Sequence, residues 1–100
     1  MVHAEASSIC HGPKGAPVAG GMACGFVITI PNHDVRIYHA GDTNVFSDMK
    51  IINDLYKPNI AMLPIGQIEG MGPTEAAYAL ANFLPEVKTV IPMCFSSFPE

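Results

Sequence analysis

The chain has 100 residues, the span of one ordinary domain, so 1–100 is expected to be a single unit. Apolar residues make up 49% and charged residues 14%, with nine Asp and Glu against five Lys and Arg, for a net charge of −4. That excludes a disordered chain, which needs low hydrophobicity and high net charge. It also leaves no basic stripe for a nucleic-acid backbone, so no nucleic-acid partner is expected.

No apolar run approaches the roughly 20 residues of a membrane helix, so no membrane partner is expected either. The opening MVHAEASS lacks a basic region and a long apolar core, and reads as no secretory signal. Cys10, Cys24 and Cys94 are odd in number and sparse. They read as thiols of a reducing, cytoplasmic compartment rather than as a disulfide framework. The charge content lies well below the usual quarter, so part of the apolar surface is expected to face another polypeptide.

In chain order, Val2 to Ala6 reads as a short strand. Ser7 to Met22 is rich in Gly, Pro, Ser and Ala and reads as a long loop. Cys24 to Ile30 carries β-branched and aromatic residues and reads as a strand. Pro31-Asn32-His33-Asp34 is turn chemistry, and Val35 to Ala40 is the returning strand of a hairpin. Ser47 is the expected N-cap of a helix that runs to about Tyr56, with Met49, Ile52, Leu55 and Tyr56 on its apolar stripe. Pro58 closes it.

Ile60 to Ile65 is continuously apolar and reads as a strand buried on both faces, with Pro64 at its end. A glycine-bearing loop, Gly66 to Gly72, leads to a helix that opens on Pro73 and carries Glu75 in its first turn. Ala76, Leu80, Phe83 and Leu84 form its apolar face. Val87 to Met93 reads as a last buried strand. Strands alternating with helices predict an α/β layer with a partly parallel sheet.

Two places carry candidate chemistry. Asp42 follows Gly41 at the end of an apolar strand. Such a carboxylate either ligates a metal or orients a base, or it caps its own turn. Cys94 follows the last strand and is either a thiolate ligand or a small buried hydrophobe. His3, His11, His33 and His39 are scattered without the spacing of a paired metal site. The backbone before Pro73 can hold an anion, but its glycines match no phosphate-binding fingerprint.

Taken together, several segments resemble a known family. They are Ile37-Tyr38-His39-Ala40-Gly41-Asp42-Thr43, Asp48-Met49, Leu63-Pro64-Ile65-Gly66, Met71-Gly72-Pro73-Thr74-Glu75-Ala76-Ala77 and Val90-Ile91-Pro92-Met93. In this order they resemble the C-terminal half of the metallo-β-lactamase-fold hydrolases, closest to the ascorbate-6-phosphate lactonase-like subgroup. The resemblance implies half of an αββα sandwich, one mixed sheet with helices on one face. It implies a zinc or manganese centre shared with a preceding half, and metal-assisted hydrolysis of a lactone, ester or phosphate ester.

The family's paired-histidine motif is absent from this chain. Of the three ligands expected from this half, Asp42 is matched, in the family's role of bridging two metals. Ala6 stands where a His precedes a Ser-Ser pair, and Cys94 where a His follows Ile-Pro-Met. Gln67 stands where Asp is common. A thiolate at Cys94 shifts ion preference toward softer metals. The expectation is a hydrolase part that binds no metal and is inactive alone, with Asp42 and Cys94 as its metal residues. The alternative is a degenerate binding or assembly domain of the same fold. Either is expected to pair, as a homodimer or with a separate N-terminal half.

Overall fold

The computed structural model describes residues 24–66 and 71–93, together with three short strands before them. The elements are β1 (Val2–His3), β2 (Ile9–His11), β3 (Pro17–Ala19), β4 (Cys24–Ile30), β5 (Val35–His39), α1 (Met49–Tyr56), β6 (Ile60–Pro64), α2 (Pro73–Asn82) and β7 (Thr89–Met93). One sheet has the order β1-β4-β5-β6-β7. Its β1–β4 and β4–β5 pairs are antiparallel, and its β5–β6 and β6–β7 pairs are parallel. The α/β architecture with a mixed sheet is therefore as the sequence predicts. No helix among the described residues is long and apolar enough to cross a membrane.

The antiparallel β4–β5 hairpin turns through Pro31 to Asp34, where Asn32 takes a positive φ of 65°. Asparagine tolerates that region because its short amide bonds locally. The register pairs Phe26 with His39 and Ile28 with Ile37. Partners across a ladder share a face, so β5 divides cleanly. Tyr38 and Ala40 lie on the helix side and are fully buried. On β6, Ala61 and Leu63 face the same way and are fully buried. Met49 and Ile52 of α1, Met71, Ala76 and Ala79 of α2 and the chain before it, and Leu84 complete this core. Each large aliphatic side chain buried there contributes about 1.5–3 kcal/mol.

The opposite face is open. Phe26 and Ile28 are each 48% exposed, and Ile91 on β7 is 44% exposed. Ile30 belongs to the same open strip. The expectation of one mixed sheet with its helices on one face is met.

Several elements differ from the sequence reading. Within 7–22, read as loop, β2 and β3 form an antiparallel two-stranded ladder pairing Cys10 with Val18. Strands of three residues are too short to leave a periodic signal amid Gly and Pro. β6 is not buried on both faces, because Ile60 and Met62 on the open side stay partly exposed. β7 is exposed rather than buried, because it is the sheet edge. Pro92 is tolerated there, where one side of the ladder is unpaired.

In α1 the buried positions are Met49, Ile52 and Asn53, and Leu55 is 68% exposed. Asn53 displaces it because its Oδ1 accepts the Glu86 N–H at 3.3 Å and so ties α1 to the approach of β7. Ser47 is not the N-cap. Asp48 holds that place without a side-chain cap bond. The first amides bond to carbonyls instead, Met49 N–H to Phe46 O and Lys50 N–H to Ser47 O. α2 opens on Pro73 as expected, and the Glu75 carboxylate accepts the Gly72 N–H at 3.0 Å.

Asn59 fastens the hairpin to β6. Its Oδ1 accepts the Arg36 N–H at 2.9 Å, and its Nδ2 donates to Asp34 O at 2.8 Å. Arg36 also donates from Nε to Lys57 O at 2.7 Å and pairs with Asp34. Lys57 ends α1 in the left-handed region, with φ 48°.

Tyr38 Oη is buried and has no hydrogen-bond partner among the described residues. Burial pushes its phenol well above the ordinary tyrosine range. The folded chain thus keeps this proton at a pH where the unfolded chain releases it. The associated stability is present below about pH 10, the unfolded value, and is lost as pH rises further. Tyr38→Phe is expected to cost less than about 1 kcal/mol near neutral pH, since the hydroxyl satisfies no partner. It should also flatten the alkaline loss, as read by urea unfolding near neutrality and at about pH 11.

Candidate functional site

The start of β4 and the end of β5 meet at a tight corner, and Asp42 leaves the sheet there. Two glycines make the approach possible. A Cβ at Gly25 would lie 2.8 Å from His39 O and 3.2 Å from Ala40 O. A Cβ at Gly41 would lie 3.0 Å from Cys24 O, and Gly41 has φ +71°. L side chains pay about 1–2 kcal/mol for that backbone region. The left-handed step at Gly41 ends β5 and turns the chain outward.

The turn is held from several directions. Ala40 N–H donates to Met62 O at 3.1 Å, which continues the parallel ladder one residue past β5. The His39 Nδ1 accepts the Gly41 N–H at 3.2 Å. Thr43 is fully buried, and its carbonyl accepts the Met71 N–H at 3.0 Å. That bond joins this turn to the chain just before α2. Thr43 Oγ1 donates to Asn44 O at 2.9 Å, and Asn44 Oδ1 accepts the Val45 N–H at 2.8 Å. The result is a rigid base from which Asp42 stands exposed to solvent.

Asp42 is thus at the C-terminal end of β5, beside the parallel strand β6. Ligands of α/β sheets gather at such ends, where a stiff strand aims a side chain and the loop stays open. Cys94, Ala6 and Gln67 lie outside the described residues. Whether Cys94 approaches Asp42 is therefore not described. His33 lies in the exposed hairpin turn, with its N–H bonded to Ile30 O. The backbone of His3 pairs with Cys24 at the same corner, through β1.

Among the described residues no three His, Cys, Asp or Glu side chains cluster as a metal site. A catalytic zinc site takes three protein ligands. At this corner the described residues bring Asp42 to the site without a cluster of three such donors, so they do not by themselves fit a metal. The sequence reading missed the part played by His39. Its signal was present as a His two residues before a glycine at a strand end.

If the corner depends on both glycines, Gly41→Ala should destabilise the fold by about 1–2 kcal/mol through its positive φ. Gly25→Ala, aimed at a backbone oxygen that cannot give way cheaply, should cost about 1–3 kcal/mol. Urea unfolding monitored by circular dichroism reads both. Unchanged midpoints would show that the corner relaxes freely.

Comparison with known proteins places this corner in a wider context. Residues 3–93 match the family model described as the beta-lactamase superfamily domain. A UPF0173 metal-dependent hydrolase of Koribacter versatilis is 53% identical over 100 residues, covering 99% of this chain and 41% of that protein. The UPF0173 metal-dependent hydrolase of Methanocaldococcus jannaschii is 44% identical over 99 residues, covering 99% of this chain and 41% of that protein. Among solved structures, the metallo hydrolase Igni18 of the hyperthermophilic archaeon Ignicoccus hospitalis superposes with a TM-score of 0.69 at 30% identity. That match covers 97% of this chain and 36% of Igni18. The chain thus spans less than half the length of these relatives, and the relatives named here are called metal-dependent or metallo hydrolases. By its matched residues and its fold, the chain belongs to the beta-lactamase superfamily domain family.

Proposed function

We propose that this chain is the C-terminal part of a metal-dependent hydrolase acting on a lactone, ester or phosphate ester, of the ascorbate-6-phosphate lactonase-like type, and that it is inactive alone. The observation that carries this reading is Asp42, held outward by a braced glycine turn at the end of β5. A bound zinc or manganese ion would supply Lewis acidity to the scissile group. Asp42 is the ligand this part brings, and Cys94 is the second candidate. A cytoplasmic setting fits Cys24, a free thiol.

The complementary part of the domain is the proposed occupant of the open sheet face. Phe26, Ile28, Ile30 and Ile91 are exposed on this face, and the relatives have more than half their length beyond the match. A wet apolar patch of about 400 Å² or more exceeds what soluble monomers usually expose. At about 25 cal/mol per Å² its burial favours pairing. Without the complement, a second copy is expected on the same face as a two-fold dimer. Sedimentation at micromolar concentration should show self-association, suppressed by Ile28→Lys. A well-folded monomer that binds no hydrophobic dye would overturn this.

The functional test uses the chain alone and the chain co-expressed with the uncovered part of the Koribacter versatilis relative. Alone, it should retain no stoichiometric zinc or manganese and hydrolyse no lactone or phosphodiester above background. The assembled protein should take up metal and hydrolyse one of these substrates, and Asp42→Asn should weaken metal affinity about a hundredfold or more. One tightly held ion on the isolated chain, lost in Asp42→Ala, would contradict the claim of inactivity. The second reading, a degenerate binding or assembly domain, is favoured by the replacement of both family histidines, by Ala6 and by Cys94. It predicts an assembled protein that takes up no metal.

A further inference from the structure

His39 lies on the open face of β5, in register with Phe26 on one side and Met62 on the other. It is the polar group in an apolar row. Its Nδ1 accepts the N–H of Gly41, two residues on, at 3.2 Å. A ring nitrogen that accepts carries no proton, so the proton of the neutral ring sits on Nε2. The geometry is that of an Asx turn, with a ring nitrogen in place of a carboxamide oxygen. The bond grips the residue whose φ is positive. Gly41 is also the residue whose missing side chain lets the turn approach Cys24 O.

We propose that His39 is a positioning residue, fixed as the Nε2–H tautomer, whose Nδ1 locks the Gly41–Asp42 turn and so sets where the Asp42 carboxylate stands. The neighbouring main-chain bonds, Ala40 to Met62 and Met71 to Thr43, hold the residues on either side of Gly41 and Asp42. The imidazole holds the pivot between them. The remaining Nε2–H is then the ring's one donor, on the open face of β5. The proposal deepens the reading of Asp42 as a metal ligand, but it rests on turn geometry that needs no metal.

The test reads the turn first. In the nitrogen-15-labelled chain, long-range proton–nitrogen spectra should show His39 Nδ1 bare and Nε2 protonated. The Gly41 amide should exchange with solvent about tenfold or more faster in His39→Leu, the loss expected for one hydrogen bond. His39→Asn restores an acceptor near the place of Nδ1 and should return exchange to within about twofold of the parent. His39→Gln, whose acceptor lies one methylene further out, should not. A protonated Nδ1, or equal Gly41 exchange in the parent and His39→Leu, overturns the proposal. The tautomer is read on the parent protein, so a variant that fails to fold leaves the proposal falsifiable.

In the assembled protein, manganese affinity should fall in His39→Leu and recover in His39→Asn. If Asp42→Asn leaves manganese affinity unchanged while the Gly41 result holds, the ligand reading fails and the positioning role stands. If Asp42→Asn weakens binding while Gly41 exchange is indifferent to His39, the reverse is true.

Discussion

One buried core, shared by one face of the sheet and both helices, is what the rest of the structure depends on. Ala40 and Ala61 belong to it from the sheet, and Ala76 and Ala79 from α2. All four are nearly or fully buried. These small side chains are buried together with the larger groups Tyr38, Met49, Leu63, Met71 and Leu84. The packing fixes the positions of β5 and β6, and with them the turn that bears Asp42. A bulkier residue at Ala61 or Ala79 would push a helix away from that base and carry the Met71–Thr43 bond with it.

All of this order lies on one side of the sheet. The other side presents Phe26, Ile28, Ile30 and Ile91 to solvent. The asymmetry explains the low charge content of the chain. A domain of 100 residues with charge on only 14% of them can hide its apolar surface only if something packs on it. Relatives more than twice as long as the matched segment are consistent with that constraint.

At the candidate site, chemistry and mechanics are separable. Among the described residues the chemistry is the Asp42 carboxylate. The mechanics are two glycines, a histidine acceptor and two main-chain bonds that hold the turn from which the carboxylate leaves. Preorganisation of this kind matters for a metal ligand, because an ion binds tightly only where its donors already converge. It also explains why the turn carries small residues next to buried ones. Thr43 fills space beneath the loop, while Gly25 and Gly41 leave space above it.

Much of this was legible in the amino-acid order alone. The β4–β5 hairpin, the start of α2 at Pro73, the end of β6 at Pro64 and the exit of Asp42 from a strand all follow from local rules. Those rules concern turn residues, proline's missing donor and alternation, and they act within a few positions. Other features depended on distant partners. That β7 is an exposed edge, that Asn53 rather than Leu55 faces inward, and that 9–19 holds a small ladder are outcomes of which segment meets which. The role of His39 belongs to both levels. Its bond to Gly41 spans two residues, yet it matters because Cys24, from another strand, would lie with its carbonyl oxygen only 3.0 Å from a Cβ at the pivot. Local sequence determines which conformations each segment can adopt, and long-range packing decides which of them the surroundings permit.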